Sequence, residues 1–457
     1  MGKPANGTPA GTGAPGPPSR RLLIAFTVAP RFGRLGSMGH EGRAGLSLFR
    51  HRDFRAFLAA RALASLSSLM LTVAVGWHMY AMTGSAFALG MVGLAQFLPA
   101  LLLALPGGLA ADRIERRSIL LAGTSLQIVV ALLLLAISLV SGAGAAWIFP
   151  VVALIGAGQA FLGPASQSLL PFLVSREDFP RAVAWNSSTF QVATIAGPAV
   201  GGLLYAFGPA CVYAASAGCY ACAALLLFSI RARFRVAAAA RPGFEGILTG
   251  LRFVFSRPAI LGAISLDLFA VLFGGATALL PIYARDILHV GPWGLGLLRS
   301  APAIGAGAVA VWLAHRPLAR RAGARMFACV ALFGIMTIVF GLSRSFLLSL
   351  GALAVLGAAD MVSVVVRQTL VQINTPDEKR GRVSAVNSVF IGASNQLGEF
   401  ESGMTASLLG VVPAVVLGGV GTLVVVALWS RLFPSLRKAD QLVPDTAAET
   451  TENAATS

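Results

Sequence analysis

Apolar runs of about 20 residues recur from one end of this chain to the other, and no other feature constrains its fold as strongly. One such helix crosses the roughly 30 Å hydrocarbon core of a bilayer, so runs separated by short polar loops imply repeated crossings. The runs read as helices over 54–80, 87–111, 118–140, 147–171, 182–206 and 211–230, and, after a linker, over 258–284, 293–315, 325–343, 346–370, 383–408 and 412–433. Twelve crossings and an all-α membrane protein are expected. Composition supports the reading: 56% of the 457 residues are hydrophobic and only 12% are charged, with a mean hydropathy of +0.78. A soluble domain of this length could not cover its surface with so few charges.

The formal net charge of +17 would suggest nucleic acid in a soluble protein, but its placement argues against that. Of 35 Lys and Arg, Arg285, Arg299 and Arg344 fall on the side opposite the N-terminus and Arg61 falls within a span; the other 31 gather on one side or at its helix ends. This is the positive-inside pattern, and it places both termini in the cytoplasm. The basic segments have no interleaved aromatic pattern, so no nucleic-acid partner is expected. Cys211, Cys219, Cys222 and Cys329 lie in or at the ends of apolar runs without a second Cys/His pair, so neither a metal site nor a cofactor is expected.

Residues 1–44, rich in Gly, Pro and Arg, are expected to be disordered, as is the tail 434–457. The stretch 20–30 imitates the apolar core of a signal peptide but has no convincing cleavage site, and Met38 is an alternative start. Between 231 and 257, Phe244, Ile247, Leu248, Leu251 and Phe255 recur at helical spacing beside Arg252 and Arg257. That linker is read as an amphipathic helix on the cytoplasmic membrane surface, coupling two halves. The halves, 45–230 and 258–433, carry an internal repeat. A shift of 201 residues superposes Glu177 on Glu378, Arg181 on Arg382, Ala184 on Ala385, Asn186 on Asn387, Ser187 on Ser388, Gly197 on Gly398 and Gly202 on Gly403. These matches fall in the fifth span of each half and the loop before it, as parallel six-helix repeats require.

After the second span comes Gly108-Leu109-Ala110-Ala111-Asp112-Arg113-Ile114-Glu115-Arg116-Arg117. Small residues there let helices approach, and an acid among bases can form an ion-pair latch at one face. The segment resembles the loop signature of the major facilitator superfamily, with Ala110 and Glu115 as departures; Glu115 is similar to the enterobactin-exporter branch. The gating loop is then Gly108, Asp112, Arg113, Arg116 and Arg117. Gly197-Pro198-Ala199-Val200-Gly201-Gly202 resembles the core of the antiporter signature of drug:proton exchangers, with Ala193 where a glycine is usual. The resemblance runs from about Phe54 to Pro434. It implies a major facilitator fold of two parallel six-helix repeats, in which the first, fourth, seventh and tenth helices line a cavity and the eleventh flanks it.

Charges inside a bilayer are costly and are functional candidates by default. Arg61, Asp267, Asp360, Arg367, Glu399 and Glu401 lie within spans. At about 100° per residue, Arg61, Ser65, Ser68 and Thr72 form one polar stripe, Asp360, Ser363 and Arg367 another, and Asn395, Glu399 and Ser402 part of a third. Proton coupling is assigned first to Glu399, then to Asp360, Glu401 and Asp267. The substrate cavity is assigned to Arg61, Ser65, Ser68, Thr72, Asn395 and Arg367. His78 reads as an interfacial polar residue. With no phosphate-binding loop and no Ser/His/Asp or dinucleotide constellation, an enzyme is not expected. The expectation is a monomeric inner-membrane exporter that trades protons for a small amphipathic molecule, siderophore or drug-like. A lysophospholipid transporter of the same fold and a non-transporting membrane sensor are the alternatives.

Overall fold

The computed structural model describes residues 48–140, 142, 144–231, 244–316 and 321–437. The readings of 1–44, of Met38 and of the tail beyond 437 lie outside them. The long elements are α1 (Arg52–Thr83), α2 (Ala86–Leu102), α3 (Ala104–Arg113), α4 (Arg116–Leu139), α5 (Ile148–Leu169), α6 (Phe179–Tyr205), α7 (Pro209–Phe228), α8 (Phe244–Ser256), α9 (Pro258–Phe273), α10 (Gly291–His315), α11 (Ala322–Leu342), α12 (Phe346–Ile373), α13 (Asp377–Leu409) and α14 (Val411–Leu432). Among the described residues nine helices are long and apolar enough to cross a membrane, ten if α2 and α3 form one bent span. The bend is 48° and follows Pro99, whose ring removes a helical hydrogen bond and crowds the preceding turn.

Two further helices, α6 and α13, are 27 and 33 residues long but are not in that apolar set. Each is interrupted by Ser, Asn and Gln, and α13 also by Glu399 and Glu401. Such helices cannot present themselves to lipid all round, so they turn inward: α6 packs on α1 and α10, α13 on α2 and α9. The stretch expected as one helix over 258–284 is broken. It stops at Gly274, runs through a 3-10 turn (Ala276–Leu279) and ends in a π-helical turn (Tyr283–Ile287). A Cβ at Gly275 would meet the Gly398 backbone and lie 2.8 Å from Ser402 Oγ, so the break is also where the chain presses closest to α13.

The two ends of the bundle are built differently. At the end away from both described chain termini, the far face, one continuous core joins Val75 and Tyr80 of α1, Leu89 of α2, Val152 of α5 and Tyr213 of α7 to Leu279, Tyr283, Leu298, Phe340, Leu353 and Ala406. At the opposite end, the terminal face, the cores separate. One holds residues between Leu48 and Ile230, and two others hold residues between Phe253 and Leu436. The helices are therefore fused at one end and parted at the other.

On the terminal face, α8 clasps the start of α13. A Cβ at Gly250 would lie 2.9 Å from the Arg382 carbonyl oxygen, and buried Phe253 sits between Arg257 and Lys379, whose cations lie 5.8 and 5.0 Å from its ring. The buried face of α8 is thus Gly250, Phe253 and Val254, while Leu248 and Phe255, expected in one stripe with Leu251, are exposed. The Phe244 and Ile247 side chains lie outside the described residues. Pro434–Arg437, within the expected tail, form a helical turn whose Leu436 is fully buried.

Candidate functional site

Small residues make the far-face seam. Gly202 of α6 meets Gly296 of α10, where a Cβ would lie 2.9 Å from the facing Cα, and Gly403 of α13 meets Gly90 of α2 at 2.6 Å on the same measure. Outside these crossings Tyr80 donates its hydroxyl to the Asp286 carboxylate, and the Arg285 guanidinium stands 5.5 Å over the Tyr80 ring. Below the seam, and closed by it, is a cavity lined by residues of both halves. Its walls are mostly apolar: Leu71, Val75, Leu89, Val92, Val152 and Ile155, with Ser68, Thr72, Gln96 and Tyr220 supplying polar atoms.

Two opposite charges line this cavity, Arg299 from α10 and Glu399 from α13. Arg299 Nη2 stands 3.7 Å from Glu399 Oε1, and both side chains are about three-quarters buried, 21% and 26% exposed. Glu399 reaches the cavity because α2 has Gly93 opposite it; a Cβ there would lie 3.0 Å from Glu399 Oε2. The sequence reading assigned Arg299 to the side opposite the N-terminus and left it out of the intramembrane charges, whereas it lies within α10 and faces its partner across the cavity. Applied to Arg299, the rule that singled out Glu399, an ionisable group within an apolar run, would have found it.

The other candidates divide among several places. Ser68 and Thr72 line the cavity, Thr72 returning its hydroxyl to the Ser68 carbonyl at 2.9 Å, and Ser65 is half-buried one turn away. Arg61 lies nearer the terminal face, donating to Ser166 at 2.9 Å with its guanidinium 5.9 Å from the Phe190 ring. Asn395 is exposed and bonds the Ile391 carbonyl of its own helix at 2.9 Å. Arg367 is almost fully buried and ion-paired with Asp267 within the second half, away from the cavity. Asp267, Asp360 and Ser363 line a separate small pocket beside Val330 and Phe333. Glu401 accepts the Thr405 hydroxyl at 2.9 Å on a neighbouring face. His78, expected at an interface, is instead buried and shares a 3.0 Å hydrogen bond with Tyr213.

The glycines of the antiporter-like segment are packing positions. Cβ atoms at Gly197 and Gly201 would meet Leu69 and Met70 of α1 at 2.6 and 2.9 Å, and Pro198 lies opposite Gly296. In the gating loop, Arg117 donates to the Leu227 and Phe228 carbonyls at 3.3 and 2.6 Å, closing the end of α7, and Arg116 stacks over Phe172 at 4.5 Å. These contacts stay within the first half. Arg113 is exposed at the end of α3, Gly108 faces open space, and the Asp112 side chain lies outside the described residues. Among the described residues no group of His, Cys, Asp and Glu is arranged to hold a metal.

Comparison with known proteins agrees with this architecture. The enterobactin exporter EntS of Citrobacter koseri is 27% identical over 415 residues, covering 87% of this chain and 96% of its own length. That of Shigella boydii is 26% identical over 419 residues, 88% and 97%. Among solved structures, a bacterial homologue of the human lysosomal transporter Spinster, inward-facing and occupied, matches with a TM-score of 0.65 at 14% identity over 84% of this chain and 97% of its own. The nucleoside transporter NupG matches with a TM-score of 0.63 at 13% identity, over 83% and 100%. At those identities the likeness is one of fold. Residues 43–454 match the family described as transmembrane secretion effector. The chain belongs to that family and is a multi-pass membrane transporter of the major facilitator superfamily, not an enzyme.

Proposed function

We propose that this protein exports a small amphipathic molecule, siderophore or drug-like, across the inner membrane in exchange for protons, by alternating access. The observation that carries the reading is the Glu399–Arg299 pair, set in a mostly apolar cavity between the two halves and closed at the far face. A carboxylate held by a cation from the opposite wall gains or loses that partner as the halves rock, so its protonation follows conformation. The apolar walls suit the body of an amphipathic substrate. Curated relatives named as enterobactin exporters support the outward direction.

In this reading α6 and α13 also cross the bilayer, since at 1.5 Å per residue they span roughly 40 and 50 Å. With them the chain has twelve spans in two six-helix repeats, 45–230 and 258–433, and functions as a monomer. The termini are cytoplasmic, which the positive-inside distribution supports. The terminal face then opens to the cytoplasm, so the structure corresponds to an inward-facing state. Asp360, Asp267 and Glu401 are second choices for the proton.

Glu399→Gln mimics the protonated carboxyl. In proteoliposomes with an imposed pH gradient it is expected to lose proton-driven export while still binding substrate. Wild-type rates would move the assignment to Asp360 or Glu401.

A further inference from the structure

We infer that the terminal-face ends of α11 and α14 form a binding site for an anionic phospholipid, with Arg325 and Arg431 receiving its phosphate. Neither helix lines the cavity, so the site does not depend on which group carries the proton. Both helices are long and apolar enough to cross a membrane. They pack antiparallel: a Cβ at Gly334 would lie 3.1 Å from the Gly419 carbonyl oxygen, and one at Gly341 would lie 3.0 Å from a Val415 methyl. α11 begins at Ala322 and α14 ends at Leu432, and a Cβ at Gly323 would meet the Leu436 carbonyl, so the two ends stand side by side.

The line of contact runs through Gly334 and Ile338 on α11 and Gly419 and Thr422 on α14. At about 100° per residue, Ala324, Arg325 and Ala328 lie a quarter to half a turn round from it on α11, as do Val424, Ala427 and Arg431 on α14, and all six are exposed. In antiparallel partners the same sense of rotation leads to the same side, so both sets flank one outer groove. The alanines keep that groove open, and exposed Ile335 and Val424 continue it as an apolar face for acyl chains. Gly323 stands level with Leu436 and Gly334 with Gly419 and Thr422, which puts Arg325 and Arg431 within a turn of each other in height. Trp429 marks the same depth: its ring lies 5.2 Å from Phe269 and 6.1 Å from Phe433, its indole donates to Ser265 at 2.9 Å, and such aromatics settle at headgroup level.

Charge decides which lipid fits. α11, α14 and residues 433–437 contain no Asp or Glu, and Asp267 of neighbouring α9 is committed to Arg367. Among the described residues the Arg325 and Arg431 side chains have no hydrogen-bond or ion-pair partner, and Arg321 adds a third cation on the same side. The first half differs: at the start of α4, Arg117 is bonded to the last carbonyls of α7 and Arg116 is stacked on Phe172. Guanidinium groups match phosphate oxygens in pairs of hydrogen bonds, and basic pockets between spans take acidic headgroups. An ethanolamine or choline headgroup would bring its own cation among these arginines with no acid on either helix to receive it. The class is therefore a phospholipid with net negative charge.

The test uses the full chain in detergent, titrated separately with phosphatidylglycerol, phosphatidylethanolamine and phosphatidylcholine of the same acyl chains, with bound lipid counted by native mass spectrometry. Phosphatidylglycerol is expected to bind roughly tenfold tighter than either zwitterionic lipid. An arginine at the membrane surface is worth about fivefold, so Arg325→Gln with Arg431→Gln should weaken phosphatidylglycerol by roughly 25-fold. Unchanged binding of phosphatidylcholine by the same double variant would show that it is folded, and Arg325→Lys with Arg431→Lys should keep most of the affinity. Arg52→Gln with Arg55→Gln removes the same charge from exposed positions at the start of α1 and should cost less than about twofold. Equal binding of the three lipids, or an equal loss in the α1 variant, would reduce the patch to diffuse surface charge and overturn the site. Glycerol 1-phosphate, a headgroup without chains, should not displace the lipid at equal concentration; displacement would make this a site for free phosphate and overturn the lipid assignment.

Discussion

The far and terminal faces are made from the same helices, yet they are held by different means. At the far face, backbone meets backbone: Gly202 against Gly296 and Gly90 against Gly403, with Tyr80 and Asp286 tied outside them and one core running through both halves. At the terminal face each half has its own core, and Arg116 and Arg117 spend their contacts inside the first half. The difference teaches that closure at the far face is a matter of shape, which tolerates no added atoms. Under the proposed alternating access, closure at the terminal face would fall to long polar side chains such as Arg116 and Arg117, whose contacts here stay inside the first half. Alternating access as proposed calls for two closures of comparable stability, and ion pairs at the terminal face would be the counterpart of the apolar seam.

The largest effect should come from adding atoms to the seam. Gly202→Val places a Cβ 2.9 Å from the Gly296 Cα, and neither backbone can yield without separating α6 from α10. Overpacking of this kind costs about 1–3 kcal/mol, and backbone contacts put it at the upper end, so the ratio of far-face-closed to far-face-open molecules should fall by roughly 100-fold. The four native cysteines, Cys211, Cys219, Cys222 and Cys329, can be replaced by Ala and a reporter placed in the cavity at Ser68→Cys. An impermeant maleimide should then label the reporter from the far face in the variant and from the terminal face in its parent. Unchanged sidedness would break the comparison.

A gentler change at the same face is Tyr80→Phe. It removes the hydroxyl given to Asp286 but leaves the ring and its contact with Arg285. Asp286 is about half exposed, so the loss should be near 1 kcal/mol, roughly a fivefold gain in far-face labelling. An effect as large as that of Gly202→Val would mean that the seam is held by polar groups after all.

How far this was legible in sequence follows from what each residue needs for its role. Apolar runs need only lipid, so the long apolar helices could be read one at a time. A seam needs two partners: Gly202 was flagged by its motif, but nothing in the sequence matched it with Gly296. Arg299 could have been read as an intramembrane charge in its own run, but its pairing with Glu399, 100 residues along the chain, is a property of the packing. Arg367 was visible as an intramembrane charge, but its pairing with Asp267 is a property of three-dimensional packing. The break at Gly274–Gly275 was missed because the hydropathy of the run continues through it, whereas the backbone must turn to pass α13.

The smallest effect belongs to the terminal face. Asp112 sits in the last turn of α3, among Arg113, Arg116 and Arg117 of the major facilitator loop. If it pairs with bases of the same face when that face closes, Asp112→Asn removes an ion pair from the closed state and nothing from the open one. The shift is therefore toward the state described here, opposite in sign to Gly202→Val. Ion pairs at a wet surface are worth about 0.2–1 kcal/mol, so labelling from the terminal face should rise only about 1.4-fold to fivefold, with a matching fall in transport and normal membrane insertion. Because the two sites lie on opposite faces, their effects should add, and Asp112→Asn placed on Gly202→Val should draw the reporter partly back toward the terminal face. Labelling and transport that do not move with Asp112→Asn, alone or on Gly202→Val, would remove the latch and leave terminal-face closure to other groups.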